Sequence, residues 1–104
     1  MWYILDEKNI PIKTNIEGFI KWELENETKK PVKQEYIGEV FVSTMFLGLD
    51  HSFNGEAPLL WKTMIFGGRH DQYQTRYSSY EEAVKGHEIA VNLVINNPCT
   101  LLLN

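Results

Sequence analysis

Between Val40 and Leu47 the apolar residues fall on both sides of a two-residue alternation: Val40, Val42, Thr44 and Phe46 on one, Phe41, Ser43, Met45 and Leu47 on the other. Successive side chains of a strand point to opposite faces. The pattern therefore predicts a central strand covered on both faces, or one that meets a helix on one face and a partner or ligand on the other. A second strand is expected from Leu59 to Phe66, after a polar connection, Asp50 to Pro58, that contains Asn54-Gly55. Gly67-Gly68 supplies positive φ for a turn into a third strand, Gln72 to Tyr77. There Tyr73, Thr75 and Tyr77 share one face and Gln72, Gln74 and Arg76 the other. Near the start, Trp2 to Leu5 is an aromatic and aliphatic run closed by Asp6 to Asn9 and Pro11, which reads as a first strand ending in a turn.

Two segments carry the helical period instead. Thr14 three residues before Glu17 has the form of a capping box, and Ile16, Phe19, Ile20 and Leu24 recur at helical spacing. Trp22 falls off that stripe and is expected as an edge-packed indole. Ser79 three residues before Glu82 begins a longer helix. Its stripe runs through Tyr80, Ala83, Val84, His87, Ala90, Val91 and Val94 before Asn96-Asn97-Pro98 stops it. The tail holds Leu101-Leu102-Leu103, read as docked on the core, with self-association as the alternative. Together these elements predict an α+β fold: an antiparallel meander of three to four strands, the N-terminal strand added to it, and two helices, the C-terminal one packed across the sheet.

Composition limits what such a fold can do. The 104 residues, 43% hydrophobic and 23% charged, suit one domain spanning 1–104 with one core. Net charge is −4 and the basic residues are scattered, which argues against binding a nucleic acid duplex. Cys99 is the single cysteine, so neither an intrachain disulfide nor a cysteine-based zinc site is expected. The N-terminus lacks the pattern of a secretory signal and no apolar run is long enough to span a bilayer, so the expected location is the cytoplasm.

Candidate chemistry is thin. His51 follows Asp50, His70 precedes Asp71, and His87 precedes Glu88. A shared metal site is not expected, because a strand of eight residues would hold His51 and His70 about 26 Å apart. His87 lies on the apolar stripe of the last helix, where it is either a hydrogen-bonded core histidine or a group facing a pocket between helix and sheet. Arg69, His70, Tyr73, Arg76, Tyr77 and Tyr80 form the best polar cluster, since arginine offers a fork for phosphate or carboxylate and tyrosine a ring and a hydroxyl. Strand alternation places Arg76 on the face opposite Tyr73 and Tyr77. No nucleophile elbow, phosphate loop or dinucleotide fingerprint occurs, and no cofactor is expected.

The segments Val42-Ser43-Thr44-Met45-Phe46-Leu47-Gly48-Leu49-Asp50-His51 and Pro58-Leu59-Leu60-Trp61-Lys62-Thr63-Met64-Ile65-Phe66-Gly67-Gly68 resemble a family of small uncharacterised proteins encoded by bacteriophages, prophages and bacteria. Arg76-Tyr77, Gly86-His87 and the Met1-Trp2-Tyr3 opening extend that resemblance over most of the chain. The family pattern has an acidic residue where this chain has Lys62. The resemblance implies a viral or mobile-element context and no particular activity. In that context the sequence points to a non-enzymatic host-interaction or counter-defence protein, acting on a host protein or sequestering a small anionic, nucleotide-like signal. Asp50, His51, Arg69, His70, Tyr73, Arg76, Tyr77, Tyr80 and His87 are its candidate binding residues. A small metal-assisted hydrolase using Asp50, His51 and His87 is the alternative, and a phage structural or assembly component the third reading. Both faces of the 40–47 strand are apolar and only two helices are available to cover them, so a homodimer is expected, through an apolar strand face or the leucine tail.

Overall fold

The computed structural model describes residues 1–50 and 57–96. Four strands form an antiparallel meander: β3 (Pro31–Ile37), β4 (Val40–Phe46), β5 (Trp61–Phe66) and β6 (Gln74–Tyr77), in the order β3-β4-β5-β6. Ahead of them, β1 (Trp2–Leu5) and β2 (Pro11–Thr14) pair as a separate antiparallel hairpin, followed by α1 (Ile16–Glu25). The long helix α2 (Tyr80–Asn96) closes the chain and crosses one face of the meander. The architecture is α+β, as the hydrophobic pattern predicts.

Local chemistry explains most element ends. Ser79 caps α2 by accepting the Glu82 amide through Oγ at 3.1 Å, and the Glu82 carboxylate returns to the Ser78 amide at 3.0 Å. At α1 the cap is Asn15, whose Oδ1 accepts the Gly18 amide at 2.7 Å; Thr14 instead ends β2. The N-cap therefore stands one residue later than the Thr14–Glu17 pattern predicts, and with Gly18 at N3 there is no reciprocal side-chain bond to complete a capping box. Two strands escape the sequence reading. Pro11–Thr14 and Pro31–Ile37 both start at proline and carry consecutive polar residues, Lys13-Thr14 and Lys33-Gln34-Glu35, which hides the strand period and suits edge positions. Nor does the N-terminal strand extend the meander alongside its edge. It pairs with β2 and also touches the segment leaving β4, through a Trp2–Leu49 bridge and the Tyr3 amide donating to Gly48 O at 2.7 Å.

The core lies between the sheet and α2, continued by α1 and the N-terminal hairpin. Phe46 and Trp61 are fully buried at its centre, with Trp22 edge-on to Phe46 at 5.5 Å and Phe19 at 4.9 Å from Trp2. Trp22 is thus a core residue. Helix α1 buries Phe19 and Trp22 and turns Ile16, Ile20 and Leu24 outward, so of the expected apolar stripe only Phe19 faces the core. Two aromatic rings bury more surface than three aliphatic chains packed at a margin, and they set the rotation of this short helix. Farther along the sheet, Val42, Ile65 and Ala90 form a second buried group, joined by Val91 and Val94 from the α2 stripe.

Candidate functional site

Strand register fixes which side chains face away from α2. On that face Tyr36 lies across from Phe41, and Phe41 across from Phe66, giving a row of three rings with centroids 4.8 Å and 6.0 Å apart. Tyr36 and Phe66 are exposed, at 71% and 44%. The next rows carry Met64 opposite Ser43, then Lys62 opposite both Met45 and Arg76. A hollow of about 260 Å³ lies among Ser43, Met45, Leu47, Lys62, Met64 and Phe66. No described helix or strand covers this face, so among the described residues the 40–47 strand meets a helix on one side only. The charged strand residues of this face are Lys62 and Arg76, both basic and side by side, in a chain of net charge −4.

The opposite face hides a polar chain. His87, 2% exposed, places Nδ1 2.7 Å from Thr44 Oγ1 and Nε2 2.7 Å from Glu35 Oε2. Thr44 Oγ1 is in turn 2.5 Å from Thr63 Oγ1, and both threonines are fully buried. An ionised carboxylate only accepts, so Nε2 carries the proton toward Glu35. In the neutral ring Nδ1 then accepts the Thr44 hydroxyl, whose oxygen accepts from Thr63. The His87 hydrogen bond holds the Glu35 carboxyl below its ordinary pKa, against the opposing effect of desolvation and with help from Lys33, whose Nζ is 3.7 Å away. Beside Thr63, burial pushes the Tyr77 phenol up, and its hydroxyl has no well-formed hydrogen bond among the described residues.

This chain resembles a nucleophile triad in composition but is inverted in exposure. The hydroxyls sit at its sealed end, and the group that solvent reaches is Glu35. Two open hollows, about 250 and 230 Å³, lie between β3 and α2 and share Lys33, His87 and Glu88 as lining.

The residues singled out from the sequence separate into several places. Arg76 reaches the open sheet face. Tyr77 lies opposite it, under α2, and Tyr73 and Tyr80 are partly buried against the two core groups. Arg69 and His70 occupy the turn between β5 and β6, and the His70 Nε2 atom is buried without a hydrogen bond among the described residues. Asp50 accepts the Leu59 amide at 3.1 Å beyond the other end of β4, while both ring nitrogens of His87 are engaged by Thr44 and Glu35. The Asp50 and His87 proposed for a hydrolase are therefore not joined, and His51 lies outside the described residues. No group of three or more histidine, cysteine or acidic side chains is arranged to hold a metal ion among the described residues. Likewise no described helix is long and apolar enough to cross a membrane.

Sequence reasoning missed Glu35, Lys62 and the Tyr36–Phe41–Phe66 row. Without β3 among the expected elements, nothing in the sequence places Glu35 beside His87 or Tyr36 beside Phe41. Comparison of the chain with protein-family models, with curated proteins and with solved structures finds no match.

Proposed function

We propose that this protein is a non-enzymatic binding domain that takes an acidic, apolar segment of a protein partner onto the open face of its meander. In the phage or prophage setting implied by the resemblance, the partner is a host protein and the activity is host interaction or counter-defence. One observation carries the reading: the uncovered face combines an aromatic row and two methionines with Lys62 and Arg76, and has no carboxylate at a strand position. Aromatic side chains, methionine and arginine are the residues enriched where proteins meet. Two adjacent cations select a partner of opposite sign and disfavour stacking this face on a second copy of itself. The polar chain at His87 supports a binding role over catalysis, because its hydroxyls are sealed in the core.

The test is a selection of random displayed peptides on the folded protein, with counter-selection on the Lys62→Glu/Phe66→Ser variant. Peptides rich in Asp or Glu with aromatic or aliphatic residues, retained by the wild type and lost by the variant, are the expected outcome. Equal retention by both proteins, or a consensus without negative charge, overturns the reading. Stabilisation by nucleotides with no peptide enrichment would replace it with the sequestration of a small anion.

A further inference from the structure

Helix α1 presents an apolar ridge to solvent. Ile16, Ile20 and Leu24 are 51%, 49% and 71% exposed and stand one turn apart on one line, while Phe19 and Trp22 hold the opposite side in the core. Glu17 and Lys21 are exposed along one flank of the ridge, also one turn apart. We propose that this ridge is the contact helix of a homodimer in which two α1 helices meet antiparallel about a two-fold axis near Ile20.

The pattern fits a second copy better than a foreign partner. A two-fold rotation that reverses the helix sets Ile20 against Ile20 and Ile16 against Leu24, so the ridge fills its own counterpart. The same rotation keeps the charged flank on the same side of the pair, and brings Glu17 of each copy alongside Lys21 of the other. The charges therefore complement themselves twice, which the like-charged sheet face cannot do. Such a contact would bury roughly 1,000 Å² in total, at the small end of specific interfaces, so the dimer is weak and concentration-dependent. It leaves the open sheet face free in both copies, and it stands whether or not the sheet-face reading holds.

Sedimentation equilibrium of the full chain, up to about 100 µM, tests it. The wild type is expected to dimerise. Ile20→Glu, a change at an exposed helix position, should give a monomer with unchanged circular dichroism and melting temperature. Glu17→Lys alone should weaken the dimer about tenfold, and Glu17→Lys/Lys21→Glu should restore most of that loss. Ile20→Cys in a Cys99→Ser background should form a disulfide between copies. A monomeric wild type over the whole range overturns the proposal. So does a dimer that persists in Ile20→Glu, which would place the interface on another surface.

Discussion

His87 Nδ1 meets Thr44 Oγ1 at 2.7 Å across 43 residues of chain, and this bond ties the middle of α2 to the central strand of the sheet. Around it lie Val42, Ile65 and Ala90 on one side and Phe46, Trp61 and Ala83 on the other, in two apolar groups. A polar side chain at that depth is tolerated because every ring nitrogen is engaged. A fully apolar helix face could slide along an apolar sheet; the hydrogen-bonded chain gives α2 one register.

Glu35 should make stability depend on pH. Its carboxyl is held below the ordinary glutamate value of 4.5 by the His87 hydrogen bond, so it contributes fully above that value and progressively less as pH falls through its lower folded-state pKa. Urea unfolding from neutral pH down to about pH 3 should show that loss, and Glu35→Ala should flatten it. At neutral pH the variant leaves the buried His87 N–H without its acceptor, at a cost of about 1–3 kcal/mol. An unchanged pH profile would mean that the carboxylate is not engaged in solution.

The two threonines should behave as a coupled unit. Thr44→Val removes the partner of both His87 and Thr63 and is expected to cost about 1–3 kcal/mol, whereas Thr63→Val, which leaves the Thr44–His87 bond, costs less. A double-mutant cycle should give an interaction energy of about 0.5 kcal/mol or more. Strict additivity in chemical denaturation would argue that the hydroxyl pair contributes nothing.

Gly86→Ala offers a test of helix packing against helix propensity. Alanine gains about 1 kcal/mol over glycine inside a helix. Here, however, the added methyl would overlap the ring and hydroxyl of Tyr77, which is itself held in the core. Overpacking should prevail, with a net loss of about 1–3 kcal/mol by urea unfolding. A stabilised variant would show that α2 can rise off β6 at little cost.

Arg76→Ala should separate stability from binding. Asp71 and Glu82, acidic residues close to it in sequence, each accept a backbone amide instead, that of Gly67 and that of Ser78. An exposed arginine on an open strand face contributes within about 0.5 kcal/mol, so the melting temperature should hardly move. Retention of the acidic peptides selected on the wild type should fall in the same variant. A large loss of stability instead would remove Arg76 from the surface proposed to bind.

How far the sequence carries depends on how strongly each residue's neighbours constrain it. The α2 stripe and its Ser79–Glu82 cap, the β4–β5–β6 meander and the glycine turn at 67–68 are all legible, because period, cap and positive φ agree locally. Helix α1 is legible as a helix but not in its rotation. Ile16, Ile20 and Leu24 give a better stripe than Phe19 and Trp22, and only the cleft offered by Trp2 and Phe46 decides for the aromatic side. Strand β3 was hidden by Lys33, Gln34 and Glu35, polar residues at the edge of the sheet. With it went the open-face row and the Glu35–His87 pair, since a hydrogen bond between residues 52 apart has no local signal.

The contact between the chain's first residues and the exit of β4 has a consequence for the order of folding. Tyr3 donates to Gly48 O and Asp50 donates to Met1 O, while Gly48, at φ +79, leaves room for the Phe19 ring that a side chain at 48 would strike. Each hairpin of the meander joins strands that follow one another, whereas this closure must bring together ends separated by most of half the chain. Loop-closure entropy falls on that step, and its template, the backbone of 47–50, exists only once β4 is in place. The β1–β2 hairpin and α1 are therefore expected to dock late and open first, with the Tyr3 amide exchanging hydrogen faster than the amides of β4; equal protection of the two would overturn that order. Because Trp22 also packs against Phe46, such an opening would uncover part of the main core, so its free energy is expected to lie between that of a fraying terminus and global unfolding.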